Sequence, residues 1–253
     1  MRRDISIVIF AAIVVAFSAV AQAQQPISRL KGRVMSERGE ALADAEIRVE
    51  AFFGPAAGTF AGQRTLAART NAKGEWSVLG ISPGIWLFEV LASGYLPETV
   101  ALPVRLLTPS GPAAAGMMFT WQLILKPMAA PIEGHWQPLS DAVTAARAGN
   151  VEQAAGQLRR VPDDANPDYL AAAGRVSLLV RDTDMARAYF VRALEADPTS
   201  YRAALGMAST VLLQRDFDLA SRAFDAARNR TRDKDEQRFI SAAIGDLATI
   251  KTR

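Results

Sequence analysis

Hydrophobic and polar positions alternate in short runs between residues 27 and 127, and glycine and proline separate the runs. Alternation with a period of two places successive side chains on opposite faces of a half-buried strand. Seven short strands separated by turns are typical of a β-sandwich, so we expect one here. The pattern predicts strands at residues 30–34, 45–51, 64–70, 75–79, 85–92, 98–102 and 117–125.

Two turns and two tryptophans lie close together in residues 71–86, NAKGEWSVLGISPGIW. Asn71 to Gly74 predicts a tight turn in which the glycine takes a positive φ. Residues 81–84 predict a second turn, because proline fixes φ and glycine accepts the conformation that follows. We expect the strands that carry Trp76 and Trp86 to form a hairpin with both aromatic side chains in the core.

From residue 135 to residue 251 the pattern changes to helical spacing, rich in alanine, leucine and arginine. A repeat of 34 residues predicts stacked helix–turn–helix units, since one unit cannot bury both of its faces alone. We expect residues 235–251 to form a capping helix. The repeat shows in two matching triplets, Ala186, Phe190 and Ala193, then Ala220, Phe224 and Ala227.

Two pairs of aspartates also recur with this period, Asp182 with Asp184 and Asp216 with Asp218. Paired carboxylates could serve acid–base chemistry or hold a metal ion. Each pair instead falls between the two helices of its unit, where an aspartate accepts hydrogen bonds from free helix amides. We therefore predict that these aspartates cap the second helix of each unit.

Five spaced motifs in residues 27–127 resemble the carboxypeptidase regulatory-like domain, which is a prealbumin-like β-sandwich. The resemblance implies an accessory module without catalytic residues. The motifs are, in order, GRV at 32–34, RGEALADAEIRV at 38–49, TNAKGEW at 70–76, SPGIWLFEV at 82–90 and SGY at 93–95.

Residues 135–251 resemble the tetratricopeptide repeat, because Gly174, Ala186, Phe190 and Pro198 fall at that family's glycine, alanine, aromatic and proline positions. In such arrays the first helix of each unit lines a concave groove, so the resemblance implies a site for a peptide. The residues it places in the groove are Trp136, Val143, Arg147, Asp168, Arg175, Leu179, Arg202, Ser209 and Leu213.

The three arginines of this predicted groove, Arg147, Arg175 and Arg202, could hold carboxylates of an extended or helical peptide. A guanidinium group binds a carboxylate through two parallel hydrogen bonds. The alternative is that arginine is the commonest charged residue of the chain, so that some arginines fall in the groove without binding anything.

The N-terminus predicts export. Arg2 and Arg3, an apolar run at 5–20 and the small residues up to Ala23 follow the order of a secretory signal peptide at 1–23. An uncleaved anchor is the alternative, but sixteen helical residues span only about 24 Å, less than the roughly 30 Å of a bilayer core. The chain has no cysteine, so neither disulfides nor a lipid-bearing cysteine are expected.

We therefore expect a periplasmic or secreted protein with no transmembrane span after signal cleavage. Its fold class is predicted as multidomain α and β, with an N-terminal seven-stranded β-sandwich and a C-terminal α-helical tetratricopeptide-like solenoid. The predicted boundaries are 1–23 for the signal peptide, 27–127 for the sandwich, 128–134 for a linker and 135–251 for the repeats with their capping helix.

Composition limits the chemistry. The formal net charge of +3 is too balanced to favour a nucleic-acid partner. His135 is the sole histidine, which argues against histidine-rich metal sites, and a serine–histidine–aspartate set would have to combine it with Ser140 and Asp141. We expect no catalytic residue, no metal site and no cofactor, and predict that the protein is not an enzyme.

The sequence thus predicts an exported, non-enzymatic scaffold that binds a protein or peptide of the cell envelope in the groove of the repeats. The alternative is carbohydrate binding by the β-sandwich. Exposed tryptophans would favour that alternative, and burial of all three would count against it, the three being Trp76, Trp86 and Trp121.

Overall fold

A computed structural model describes residues 28–53, 65–82, 84–104, 119–125, 127, 137–162 and 166–251. The predicted signal peptide and the linker lie outside the described residues. The boundaries of the domains therefore stay predictions, and we refer to residues 28–127 as the sheet region and to residues 137–251 as the helical region.

The sheet region contains all seven predicted strands, with ends that differ from the prediction by a few residues. They form a three-stranded sheet in the order β4-β1-β7 and a four-stranded sheet in the order β3-β2-β5-β6. β1 and β7 are parallel, and the other paired strands are antiparallel. The strands are β1 Ser28–Ser36, β2 Glu46–Phe53, β3 Thr65–Arg69, β4 Glu75–Ile81, β5 Gly84–Leu91, β6 Glu98–Val104 and β7 Phe119–Leu125.

The predicted turn at Asn71–Gly74 is confirmed. Gly74 has a φ of 72° and donates its amide to the Asn71 carbonyl at 2.9 Å. The Asn71 side chain also accepts the amides of Lys73 and Glu75, at 2.9 and 3.0 Å. A Cβ atom on Gly74 would lie 2.4 Å from the carbonyl oxygen of Val34, so both conformation and space require glycine here.

The predicted hairpin of β4 and β5 is wrong. β4 pairs with β1 in one sheet, whereas β5 pairs with β2 and β6 in the other. Gly80 and Gly84 have φ values of 90° and 147°, which lets the chain cross from one sheet to the other instead of turning back on β4. The expected burial holds nevertheless, because Trp76 is 4% and Trp86 0% exposed.

The described residues of the helical region form seven helices. Successive helices pack as pairs, α1 with α2, α3 with α4 and α5 with α6, and α7 closes the series against α6. The helices are α1 Gln137–Arg147, α2 Val151–Leu158, α3 Pro167–Leu179, α4 Thr183–Ala196, α5 Tyr201–Leu213, α6 Phe217–Arg228 and α7 Lys234–Lys251.

The 34-residue period is visible in the packing. Phe190 and Phe224 occupy equivalent places in α4 and α6, and both are fully buried. Arg181 and Arg215 occupy equivalent turns and share a φ of 65°. This pairing and period make the helical region tetratricopeptide-like.

The predicted caps are confirmed for one aspartate of each pair. Asp182 Oδ1 accepts the amide of Met185 at 2.9 Å, and Asp216 Oδ1 accepts the amide of Leu219 at the same distance. Both contacts satisfy an amide in the first turn of a second helix, α4 or α6.

Within the part of the chain that is described, no helix has both the length and the apolar composition needed to cross a bilayer.

Candidate functional site

The helical region packs on the outer face of the four-stranded sheet. Ile85 and Leu87 of β5 lie on the face opposite Trp86, and they are as deeply buried as the tryptophan. The helices α3, α5 and α7 contact β6, the strand at this edge of the sheet. The first helices of the second and third units therefore line a groove that holds a strand of the same chain.

Two of the predicted groove arginines bind a carboxylate at the start of β6. Arg175 of α3 is only 2% exposed, and its Nε lies 3.6 Å from Oε2 of Glu98. Arg202 of α5 places Nη1 3.7 Å from the same oxygen and Nη2 3.4 Å from Oε1 of Glu37. The arginines thus recognise carboxylates, as their chemistry suggested, but these carboxylates belong to the sheet region.

The groove also contacts the main chain of β6. The hydroxyl of Ser209, a fully buried residue of α5, donates a hydrogen bond to the carbonyl oxygen of Ala101 at 3.4 Å. Ala101 is fully buried as well. The groove therefore binds both the main chain of β6, at Ala101, and the carboxylate of Glu98.

Burial dominates the electrostatics of this contact. It lowers the pKa of Arg175, and the charge of Glu98 opposes that shift. The Nε and Nη1 atoms of Arg175 form no hydrogen bond with any described residue, so the ion pair with Glu98 is its main compensation. Burial likewise raises the pKa of Tyr201, with Glu236 and Glu98 adding to the effect.

A second ionic contact joins the two regions at the turn between α3 and α4. Arg181 pairs with Glu50 of β2, and its Nη2 also lies 2.7 Å from Oε1 of Glu89 on β5. Glu89 is 6% exposed, and burial raises its pKa while Arg181 opposes the rise. The turn that repeats in the helical units therefore serves, in this unit, as a contact to the sheet.

The other predicted groove residues have different surroundings. Arg147 is exposed at the end of α1 and has no ionic partner among the described residues. Leu179 is half-buried, Leu213 and Val143 are buried, and Asp168 is exposed. Trp136 lies outside the described residues. The structure thus brings Arg175, Arg202 and Ser209 together on β6, and leaves Arg147 apart from them.

The sequence reasoning missed the sheet residues of this contact, Glu98, Ala101 and Glu89. A signal was present in β5, whose sequence GIWLFEVL is nearly all hydrophobic instead of alternating. A strand of this kind is covered on both faces. The hydrophobic residues at 85, 87 and 91 therefore indicated a partner for the outer face of the sheet.

The tryptophans give little support to sugar binding. Trp76 and Trp86 are buried, and the Nε1 atom of Trp86 donates to the Ser82 carbonyl at 2.8 Å. Neither ring is available to stack on a sugar. The side chain of Trp121 lies outside those described.

The candidate catalytic residues are only partly described. Ser140 and Asp141 lie on α1, and the third member of that set, His135, is outside the described residues. In the described ranges, no group of three or more histidine, cysteine, aspartate or glutamate residues is placed to hold a metal ion.

No protein-family model matches the chain, and no curated protein matches it. Similar solved structures include the Sgt2 TPR domain from Aspergillus fumigatus, at 14% identity over 49% of this chain and 85% of that one, with a TM-score of 0.40. They also include the type III secretion chaperone SycD of Yersinia enterocolitica with a peptide of the translocator YopD, at 18% identity over 46% and 91%, with a TM-score of 0.38.

Hydroxyquinol 1,2-dioxygenase from Pseudomonas putida DLL-E4 is a further similar structure, at 11% identity and a TM-score of 0.32. The match covers 42% of this chain and 58% of the dioxygenase, so the chain spans little more than half of that enzyme's length. This finding contradicts the prediction that the protein is not an enzyme, and the prediction is withdrawn. A likeness at this TM-score assigns no dioxygenase reaction to the chain.

Proposed function

We propose that the protein is an exported scaffold that binds a protein or peptide of the cell envelope on the concave side of its helical repeats. The observation that supports this proposal is the contact with β6. Arg175 and Arg202 contact the carboxylate of Glu98, and Ser209 donates to the carbonyl oxygen of Ala101, both on the extended strand β6 of the same chain. A surface with this chemistry suits an extended segment of another protein as well.

The proposal places the partner at the first helical unit. β6 covers the inner side of α3 and α5, whereas α1 packs on α2 and α3 and leaves Arg147 exposed. A carboxylate of a bound peptide can pair with Arg147 without displacing β6. In this proposal the sheet region is a β-sandwich of the carboxypeptidase regulatory-like type, and it acts as a spacer or second contact surface.

Site-specific photo-crosslinking in intact cells of the natural host tests the proposal. A photoreactive residue replaces Thr144, an exposed residue one turn before Arg147 on α1, in one strain and Arg222 in another, so that Arg147 itself is kept. Arg222 is a matched control because it is exposed on α6, the second helix of its unit. We expect the probe at 144 to capture one defined protein in the envelope fraction and the probe at 222 to capture none.

The same captured proteins from both positions, or none from position 144, would contradict partner binding at the first unit. Recovery of the crosslinked product from the cytoplasm instead of the envelope would contradict export. The two parts of the proposal are therefore tested separately in one preparation.

A further inference from the structure

A cleft of about 840 Å³ opens on the side of the sheet region where β3 and β4 diverge. The two strands follow each other through the Asn71–Gly74 turn but join different sheets. The described residues that line the cleft come from β1, β3, β4 and this turn. The cleft is thus distinct from the helical groove and lies on another part of the molecule.

The lining of the cleft is strongly basic. Arg29, Lys31, Arg33 and Arg69 contribute positive charges, and Glu75 is the one acidic residue among the described lining residues. Lys31 has no hydrogen-bond or ionic partner in the described part of the chain, and Arg29 donates to a neutral acceptor, the hydroxyl of Ser77, at 3.2 Å. These two cations are therefore available to an anionic ligand.

The other two cations are held by weak ion pairs. Arg33 lies 3.0 Å from Glu75, and both side chains are 46% exposed. Arg69 lies 2.8 Å from Asp44, and this pair is more exposed still. Exposed pairs contribute at most about 1 kcal/mol, so a ligand can exchange its own carboxylates for them at little cost.

The spacing of the cations fits an extended peptide. Arg29, Lys31 and Arg33 alternate along β1, so they share the face opposite the buried Leu30 and Val34. Residues on one face of a strand repeat about every 6.6 Å, and every second side chain of an extended peptide repeats at the same interval. Acidic residues at alternate positions of such a peptide would therefore match the three cations in register.

The edges of the two sheets are also suited to an added strand. β3 pairs with β2 and β4 pairs with β1, and each is the terminal strand of its sheet within the described residues. Terminal strands carry main-chain donors and acceptors that can pair with an extended ligand. We propose that this cleft binds an extended acidic segment of a partner protein, with its carboxylates on Arg29, Lys31, Arg33 and Arg69.

Fluorescence anisotropy with a labelled synthetic peptide tests the site. The probe alternates glutamate with threonine, and its control replaces every glutamate with glutamine. The purified protein, in the form the cell produces, is titrated at low salt, where charge attraction is least screened. We expect binding of the glutamate peptide that weakens as salt rises, and no binding of the glutamine peptide.

A charge-reversal variant, Arg29→Glu with Lys31→Glu, is expected to weaken the binding at least tenfold. The matched control is Arg187→Glu with Arg222→Glu, which changes the net charge equally at two exposed positions on α4 and α6. The control should change affinity less than twofold. Thermal unfolding of both variants establishes that they remain folded.

Equal weakening by both variants would overturn the proposal, because the peptide would then respond to net charge alone. Equal binding of both peptides would overturn the requirement for carboxylates. Binding of polygalacturonate but not of the glutamate peptide would assign the cleft to acidic glycans instead. None of these results alters crosslinking beside Arg147, so failure of this site and failure of the helical groove are distinguishable.

Discussion

Gly39 and Gly74 both have a positive φ, but their surroundings differ. Gly39 has a φ of 79° and nothing within 4 Å of an added Cβ, whereas a Cβ on Gly74 would meet the Val34 carbonyl. The left-handed conformation alone costs an alanine about 1–2 kcal/mol. Overpacking adds about 1–3 kcal/mol more. Comparing the two sites therefore separates the cost of conformation from the cost of close packing.

We expect Gly74→Ala to lower the free energy of unfolding by about 2–5 kcal/mol, the sum of these two costs. Gly39→Ala should lower the free energy of unfolding only by the cost of the left-handed conformation, about 1–2 kcal/mol. Urea unfolding at equilibrium measures both values. Equal losses for the two variants would show that the Asn71–Gly74 turn moves to make room, and that the contact with Val34 does not fix its position.

A similar close contact at Phe190 shows what the sequence could not reveal. The repeat pattern places Ala208 at the family's glycine position in the third unit. In the structure Gly206 faces the ring of Phe190, and a Cβ there would lie 2.2 Å from its Cε1 atom. A repeat register assigns equivalent positions, but it does not determine which position touches an aromatic ring from the neighbouring unit.

At the scale of elements, the aspartates between paired helices permit a test of capping. Asp182→Ala and Asp216→Ala should each lower the free energy of unfolding by about 1 kcal/mol, because an amide of Met185 or Leu219 loses its acceptor. Asp182→Asn keeps an acceptor and should retain most of the stability. Thermal and urea unfolding check all three variants, and an equal loss for Asp182→Asn and Asp182→Ala would contradict the capping role.

The elements themselves were predictable because their signals are local. The period of two and the turn at Asn71–Gly74 define β3 and β4 to within a few residues, and the 34-residue repeat defines the helix pairs. Pairing between strands was less predictable. β4 and β5 are adjacent in sequence but belong to different sheets, and the positive φ values of Gly80 and Gly84 permit this crossing. Which sheet each strand joins depends on the strands it pairs with, and these lie far away in the sequence.

At the scale of the whole molecule, the main difference from the sequence prediction is that the groove is occupied. The resemblance to tetratricopeptide repeats predicted Arg175 and Arg202 in a peptide groove, and in the structure both side chains contact Glu98 of the same chain. The resemblance did not predict the contact with Glu98, because an ion pair between residues far apart in the sequence does not show in a repeat pattern. Only the hydrophobic outer face of β5 indicated that the sheet had a covering partner.

The contact between the regions has a consequence for unfolding. Buried residues of both regions belong to one continuous hydrophobic cluster, and Arg175, Arg181 and Arg202 link the regions by ion pairs. Regions that share a hydrophobic core stabilise each other, because separating them would expose apolar surface that both now bury. We therefore expect them to unfold in one cooperative transition instead of two.

Two spectroscopic signals and one pair of variants test this coupling. Far-UV circular dichroism follows the helices, and tryptophan fluorescence follows mainly the sheet region, where three of the four tryptophans lie in strands. The two urea transitions should coincide in the natural protein. Ala101→Arg forces a charged side chain against α5 and should separate them, whereas Ala67→Arg, on an exposed position of β3, should not.

The direction of the separation is also determined by the structure. In Ala101→Arg the sheet region keeps its strand pairing and its buried Trp86, whereas the helices lose the surface of β6 that covers Ser209 and Arg175. The circular-dichroism transition of Ala101→Arg should therefore shift to lower urea than the fluorescence transition. Coincident transitions in Ala101→Arg would mean that the two regions still unfold as one unit, and that the contact of Ala101 with α5 is not what couples them.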